Sequence, residues 1–478
     1  MEILFVSSEV APWSKTGGLG DVGGALPRAL AARGHEVTVV SPRYGGIDAL
    51  AQGFERRDGA VRVRGEAASL WVLRGRPEVH LVEHERFFGS RRGLYGEGGH
   101  DYADNAERFA FLTRAALALP AASGKRIRIV HANDWQTGLA AYLLRHEHAH
   151  DPALAGARTV LTIHNLAYQG VFPKQVVPFV GLPWDVFRYE AMEFHDRLNF
   201  MKAGLTFADA LTTVSPTYAK EILTPEGGEG LDPVLRHRRA DLHGILNGID
   251  VTEWDPARDA HLPAHYSSRD LSGKAVCKAA LQRELGLPAR ADVPLLGMIS
   301  RLADQKGLDL VVAALPDLLA RDVQLAVLGS GSHAYEDAFR RAAAGRPDRL
   351  AARIGFDEPL AHRIEAGADA FLMPSRYEPC GLNQMYSLRY GTLPVVRAVG
   401  GLEDTVEDFD GWMRGTGFKF REYSPQALLL AVRRALDTYR DRRTWQALVL
   451  RGMAQDFSWD RSARSYEALY RALVPGAA

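Results

Sequence analysis

Short, almost uninterrupted apolar runs that alternate with helical stretches constrain this chain more than any other feature. Ile3–Ser7, Glu36–Ser41, Ile127–Ala132, Thr159–Ile163 and Ala210–Val214 read as strands in the first half. Leu295–Ile299, Gln324–Leu328, Ala352–Ile354, Ala370–Met373 and Pro394–Ala398 repeat the scheme in the second. A strand covered on both faces has no polar alternation, so such runs point to parallel sheets sandwiched by helices. Gly24–Arg33, Ala106–Leu119, Gly307–Leu319, Ala334–Ala343 and Leu382–Tyr390 read as the helices between them. At 478 residues the chain is too long for one core. The expected fold is α/β, with two doubly wound parallel-sheet domains, 1–246 and 247–456, facing a central cleft. A third segment, 457–478, carries an amphipathic helix, Trp459–Leu473, that crosses back to the first domain. The hinge is expected near Leu246–Asp255, where Asn247-Gly248 signals a turn.

Ligands of such sheets bind outside the carboxyl ends of the strands, so the loops that follow strands carry the chemistry. The first is Ser14-Lys15-Thr16-Gly17-Gly18-Leu19-Gly20-Asp21-Val22-Gly23. Glycines here bring backbone N–H groups close to a ligand, and the lysine adds a point charge suited to phosphate or carboxylate. Only nine of the 58 basic residues are lysine, yet Lys15 and Lys306 both stand in glycine-flanked loops after strands. A chain that uses arginine nearly everywhere has kept the compact ammonium at these two places.

Net charge is zero, which argues against broad electrostatic binding to nucleic acid or a membrane surface. No apolar run approaches the roughly 18 residues that span a bilayer. The first residues lack a basic, signal-like region, and the two cysteines offer neither a disulfide framework nor a cysteine zinc site. A cytoplasmic protein without membrane or nucleic-acid partners is expected.

Three motif matches mislead. Gly18-x-Gly20-x-x-Gly23 fits the dinucleotide pattern, but its glycines start well past the strand, and the second strand ends Val39-Val40-Ser41-Pro42 with no acid for a ribose. His146-Glu147-His148-Ala149-His150 fits the zinc-protease pattern, but Asp151-Pro152 ends the helix at once, so it reads as a solvated helix end. Asp408-Phe409-Asp410 fits a metal-binding pattern of some sugar transferases, but it sits in a late acidic run and reads as a solvated loop. No metal and no cofactor are expected.

Four segments taken together are far more specific: the Lys15 loop with Asp21; Thr162-Ile163-His164-Asn165; Ser300-Arg301 through Lys306-Gly307; and Ser375-Arg376-Tyr377-Glu378-Pro379-Cys380-Gly381-Leu382. Arg301 and Lys306 form a dication across one loop, which a departing diphosphate needs. The helix after Gly381 adds amide donors, and Glu378 is an acid placed to hold a sugar hydroxyl. The set points to phosphate-ester leaving-group chemistry on a sugar. Structural alternatives accompany it: Asp21 as a helix-start acid, His164 as a core histidine, Trp135 and Tyr95 as packing residues, Cys380 as a small buried side chain.

On Lys15-Thr16-Gly17-Gly18-Leu19-Gly20-Asp21-Val22 at one end and Glu378-Pro379-Cys380-Gly381-Leu382 at the other, the chain resembles the bacterial glycogen synthase and starch synthase family over essentially its full length. The resemblance implies two Rossmann-like domains in the GT-B arrangement. It implies a retaining glucosyltransferase that uses ADP-glucose to extend the non-reducing end of glycogen or another α-1,4-glucan. It places Lys15 and Gly18 near the donor phosphates, Asp21 on the glucose side, His164 at the reaction centre and Asn247 at the pocket border. It gives the diphosphate to Arg301, Lys306 and the N–H groups of Gly381 and Leu382, beside Cys380, and the sugar hydroxyls to Glu378. Tyr95, Asp134 and Trp135 would line the acceptor side. Phe356 stands where the family has a tyrosine beside the adenine, and Asn383 where it has a threonine near the phosphates; both bear on donor choice rather than on reaction class. No carboxylate lies in the His164 segment, the nearest in sequence being Asp151 and Asp185. Same-face attack is therefore expected over double inversion, which needs a carboxylate beneath the anomeric carbon. A different retaining hexosyltransferase, a phosphorylase and a non-catalytic glucan binder remain the alternatives.

Overall fold

The structure, a computed structural model, describes residues 1–412 and 414–475; the last three residues of the expected 457–478 segment lie outside them. The chain divides into two compact units, Met1–Gly248 with Trp459–Ala478, and Ile249–Ser458.

The sheet of the first unit runs, from one edge, Leu242–Gly244, Ala210–Thr213, Arg158–Ile163, Ile129–Asn133, Glu2–Val6, Glu36–Pro42, Glu78–Glu83, Glu66–Leu73 and Glu55–Val63. Pairing is parallel from Leu242–Gly244 as far as Glu78–Glu83 and antiparallel across the last two strands. Ile3, Leu4, Phe5 and Val6 are all fully buried, as a strand covered on both faces requires. Among the parallel strands, sequence order runs outward in both directions from the neighbours Glu2–Val6 and Ile129–Asn133, to Leu242–Gly244 on one side and to Glu78–Glu83 on the other. That is the switch point of the sheet, where the connections diverge and leave a crevice.

The second unit repeats the plan: Leu350–Ile354, Gln324–Gly329, Leu295–Ile299, Ala370–Met373, Leu393–Arg397 and Phe418–Phe420, parallel throughout. One core joins Leu296, Met298, Val327 and Leu372 to Val311 and Leu315 of the helix Leu308–Leu319. Another joins Leu295, Leu328 and Phe371 to Leu281 and Ile364 of the helices Ser272–Glu284 and Glu358–Gly367. Here the switch point falls between Leu295–Ile299 and Ala370–Met373.

The helix Trp459–Leu473 returns to the first unit. Tyr466 and Tyr470 are fully buried; Tyr470 shares a 2.6 Å hydrogen bond with Nδ1 of His131. Glu467 and Asp460 grip Arg33 at 2.6 and 3.0 Å, and the Ser462 hydroxyl donates to the Leu246 carbonyl.

Two features differ from the sequence reading. The strands Glu55–Val63, Glu66–Leu73 and Glu78–Glu83, and the three-residue edge strands Leu242–Gly244 and Phe418–Phe420, were not anticipated; Glu55–Val63, Glu-Arg-Arg-Asp-Gly-Ala-Val-Arg-Val, is charged and ends the sheet, so it lacks the apolar run that marks its buried partners. The first helix spans Gly18–Ala32, so Gly18, Gly20 and Asp21 are helical rather than part of a loop. The reason is steric. A Cβ on Gly23 would strike the Glu9 carbonyl oxygen, and one on Gly24 would crowd that of Ala11. These glycines let the helix lie directly on the backbone that leaves the first strand.

Candidate active site

In the first unit the switch-point strands deliver Glu9 and Asp134. Glu9 is buried and works as a clamp: its Oε1 accepts from the Tyr95 hydroxyl and the Thr16 hydroxyl at 2.6 Å each, and its Oε2 accepts from Thr16 N–H at 2.6 Å. The clamp holds the segment bearing Lys15 against the strand end. Lys15 itself is half exposed and pairs with Asp21 at 2.6 Å. Gly17 caps the following helix without a side-chain acceptor, so the first-turn amides at Gly18 keep their donors for an anion. Tyr95 also shares a 2.8 Å bond with Ser8, so it positions Glu9 rather than presenting a free ring edge.

Asp134 adopts φ 55° and ψ −173°, a conformation rare outside glycine. Its buried Oδ1 accepts from His164 N–H at 2.7 Å. Burial pushes its carboxyl up to about 7, with Glu9 adding repulsion and the His164 and Asn165 amides opposing. This corrects an inference from sequence distance: a carboxylate does lie beside His164, in space rather than along the chain. Asn133 donates from Nδ2 to the Val6 carbonyl and accepts from His164 Nε2 at 3.0 Å, which fixes the imidazole with its proton on Nε2. Burial holds the His164 imidazole down to about 3, so it is neutral at pH 7. Trp135 is buried against Phe109 and Phe172, at 5.1 and 5.7 Å between centroids. A Cβ on Gly170 would run into its ring, so Trp135 packs the loop after His164. Asn247 is buried, and its Oδ1 has no hydrogen-bond partner among the described residues, which leaves an acceptor for a ligand hydroxyl.

In the second unit the loops after the switch-point strands meet. Lys306 Nζ donates to Glu378 Oε2 at 2.6 Å, and the Ser375 hydroxyl donates to the same oxygen at 2.9 Å. Gly307, at φ 69°, abuts the Pro374 carbonyl, an approach closed to any side chain. Arg376 N–H closes the junction on the Gln305 carbonyl at 2.8 Å. Arg301 is exposed and tied only loosely, 3.3 Å from Gln305 Oε1. Asn383 opens the next helix and donates to the Ile299 carbonyl at 2.8 Å, binding that helix to the strand that carries Arg301. Gly381 takes φ 74° and Leu382 caps the helix without a side-chain acceptor; Cys380 is a small buried side chain in the same turn. Phe356 is 89% exposed, a bare aromatic face.

The candidate residues divide between the units: Lys15, Gly18, Asp21, Tyr95, Asp134, Trp135, His164 and Asn247 belong to the first, and Arg301, Lys306, Phe356, Glu378, Cys380, Gly381, Leu382 and Asn383 to the second. Direct contacts join Lys15 to Asp21, Asp134 to His164, and Lys306 to Glu378. Sequence reasoning missed Glu9, Asn133 and Ser375. The available signal was their position, at or just past a parallel strand. The misleading motifs resolve physically. Glu147 is bound bidentately by Arg114, and His146 stacks on Tyr142 at 4.2 Å. Asp408 accepts from Lys419 N–H and Arg434, and Asp410 from the N–H of Trp412 and Arg414.

The titrations give a testable slope. His131 and His164 are both held to about 3 by burial, below the unfolded value near 6.5. Their contribution is present above pH 6.5 and is lost as pH falls from there towards 3. Asp134, raised to about 7, acts oppositely: its contribution is present below about 4 and lost as pH rises through 7. Within the first unit two imidazoles outweigh one carboxyl, so its stability should fall by on the order of 1 kcal/mol between pH 7 and pH 5. In the second unit the buried Glu365 carboxyl, raised to about 8, acts in the opposite direction. Urea midpoints at the two pH values, followed by a probe in the first unit, measure the fall; an unchanged or higher midpoint there at pH 5 would contradict these buried neutral imidazoles.

A family profile described as "Starch synthase catalytic domain" matches residues 2–237, and one described as "Glycosyl transferases group 1" matches residues 286–447. A glycogen synthase of Anaeromyxobacter sp. (strain Fw109-5) is 77% identical, with 99% of this chain and all of that protein covered. That of Myxococcus xanthus (strain DK1622) is 52% identical over the same shares. Among solved structures, the catalytic domain of starch synthase IV from Arabidopsis thaliana, bound to ADP and acarbose, superposes with a TM-score of 0.89 at 36% identity, covering 99% of both chains.

Proposed function

The chain belongs to the glycogen and starch synthase family, and from that premise we propose how its residues share the work of transferring glucose from ADP-glucose to the non-reducing end of an α-1,4-glucan with retention, elongating glycogen. The observation that carries the proposal is the Lys306–Glu378 pair, 2.6 Å apart at the switch point of the second unit and beside Arg301. A dication next to an acid suits a sugar diphosphate: Arg301 and Lys306 take the phosphates, Glu378 takes sugar hydroxyls, and the face of Phe356 takes the adenine. The amides of Gly381 and Leu382 and the Asn383 turn complete the phosphate seat. In the first unit, Lys15 supplies a further cation to the phosphates, while Asp21, His164 and Asn247 bound the glucose. Tyr95, Asp134 and Trp135 shape the acceptor side. The first unit is thereby the glucan side and the second the nucleotide side.

Retention follows from same-face attack. Asp134, the carboxyl beside His164, is buried and commits its Oδ1 to the His164 N–H, so it acts as a backbone clamp rather than as a free nucleophile. The departing diphosphate takes the proton of the acceptor hydroxyl as the new glycosidic bond forms, and Arg301 with Lys306 stabilises the charge left behind.

The deciding assay is nucleotide release from ADP-glucose and UDP-glucose, with and without glycogen. Glycogen-dependent release of ADP supports the reading; release without transfer to glucan, or none from either donor, overturns it. Because protein cations neutralise the leaving group, turnover at 25 °C should survive excess chelator. His146→Ala and His150→Ala should leave it unchanged. Turnover that needs added divalent metal, or a loss in the histidine variants, would reverse this account.

A further inference from the structure

We propose that the second unit carries a site for a divalent cation of the Zn2+ type, formed by Glu253, Glu358 and His362. Among the described residues, one grouping of three or more potential ligands lies close enough to share an ion: one oxygen of each carboxylate and a ring nitrogen of His362, all within 4.8 Å of one another. None of the three belongs to the transfer machinery described above.

The histidine distinguishes this from an ordinary acidic surface cluster. His362 is 1% exposed. Its Nδ1 is held by Asp259 Oδ2 at 2.7 Å, and its buried Nε2 has no hydrogen-bond partner among the described residues. A proton on Nδ1, donated to the carboxylate, leaves the Nε2 lone pair as the one to give. A carboxylate behind the imidazole of a metal ligand fixes its tautomer and raises its basicity. Asp259 is itself steadied by the Tyr390 hydroxyl at 2.6 Å. The ring cannot swing away, because Trp254 stacks on it at 3.8 Å and 11°, with Tyr386 on the opposite face of Trp254 at 3.8 Å.

The carboxylates come from two segments. Glu358 opens the helix Glu358–Gly367 one turn before His362, so the two share a helix face. Glu253 comes from the chain just after the second unit begins at Ile249. Both glutamates are exposed, so an ion can enter and keep water as a further ligand. One imidazole and two carboxylates suit zinc and its first-row neighbours better than magnesium, which prefers oxygen alone. A bound ion would tie the opening segment of the second unit to this helix.

Equilibrium dialysis of the full chain against Zn2+ at pH 7, with metal analysis, tests the site. Expected are one equivalent bound per chain, an affinity at least tenfold weaker in Glu253→Gln and in Glu358→Gln, and retention of binding in His146→Ala/His150→Ala. The glutamates are exposed, so these variants should fold where His362→Gln could fail to. Zinc should also raise the melting midpoint of the wild type and leave that of the Glu253→Gln/Glu358→Gln double variant in place. Absence of stoichiometric binding, affinity within twofold of wild type in the double variant, or loss of binding in the His146/His150 variant would each overturn the proposal.

Discussion

Replacing Arg301 or Lys306 by alanine is expected to lower turnover about a hundredfold or more, on the order of 3 kcal/mol, while glucan binding changes little. Negative charge on the diphosphate grows as its bond to the sugar breaks, so these cations matter more in the transition state than in the bound ground state. Lys306 should be the worse loss. Its ammonium also neutralises the buried Glu378 carboxylate at 2.6 Å, and truncation leaves that charge, among the described residues, with the Ser375 hydroxyl as its side-chain partner. Glu378→Ala should be at least as damaging as either. Turnover at saturating ADP-glucose, set against affinity for glycogen, separates the two effects. Near-normal turnover in the Arg301 or Lys306 variant would remove the phosphate role assigned here.

Tyr470→Ala is expected to destabilise the first unit by about 3–5 kcal/mol, the range for emptying the seat of a large buried aromatic. The ring is fully buried, and its hydroxyl engages His131, whose other nitrogen engages Thr162 at 2.6 Å. Tyr470→Phe keeps the packing and deletes only that bond, so about 1–2 kcal/mol is expected. Urea unfolding of both variants, followed by a probe in the first unit, reads the difference. If the alanine variant fell no further than the phenylalanine variant, the returning helix would not be an integral part of that unit.

The central strands of both sheets were legible because burial on both faces writes itself as unbroken apolar sequence. Glu55–Val63 was not, because an exposed edge strand tolerates charge at most positions. Arg301, Lys306 and Glu378 were legible through loop chemistry after apolar strands, and the structure brings Lys306 and Glu378 into direct contact. The web of Glu9, Tyr95, Asp134 and His164 was not. Its members are far apart in sequence and meet only because Glu2–Val6 and Ile129–Asn133 are parallel neighbours, and sheet order has no local signature. The glycines after Lys15 suggested a loop by composition; from Gly18 on they are helical, and Gly23 and Gly24 are glycine because the helix lies there directly on backbone.

The return of the helix Trp459–Leu473 to the first unit also sets the order in which the protein is finished. A ribosome releases residues 1–248 first, yet the seat of Tyr466 and Tyr470 stays empty until the whole of Ile249–Ser458 has been made. At about 5–20 residues per second, that interval is on the order of ten to forty seconds. Throughout it the nascent first unit exposes the apolar surface around His131 that the mature protein covers. The domain synthesised first is completed last, and a nascent chain arrested before Trp459 presents that surface to chaperones and to its neighbours on the same message.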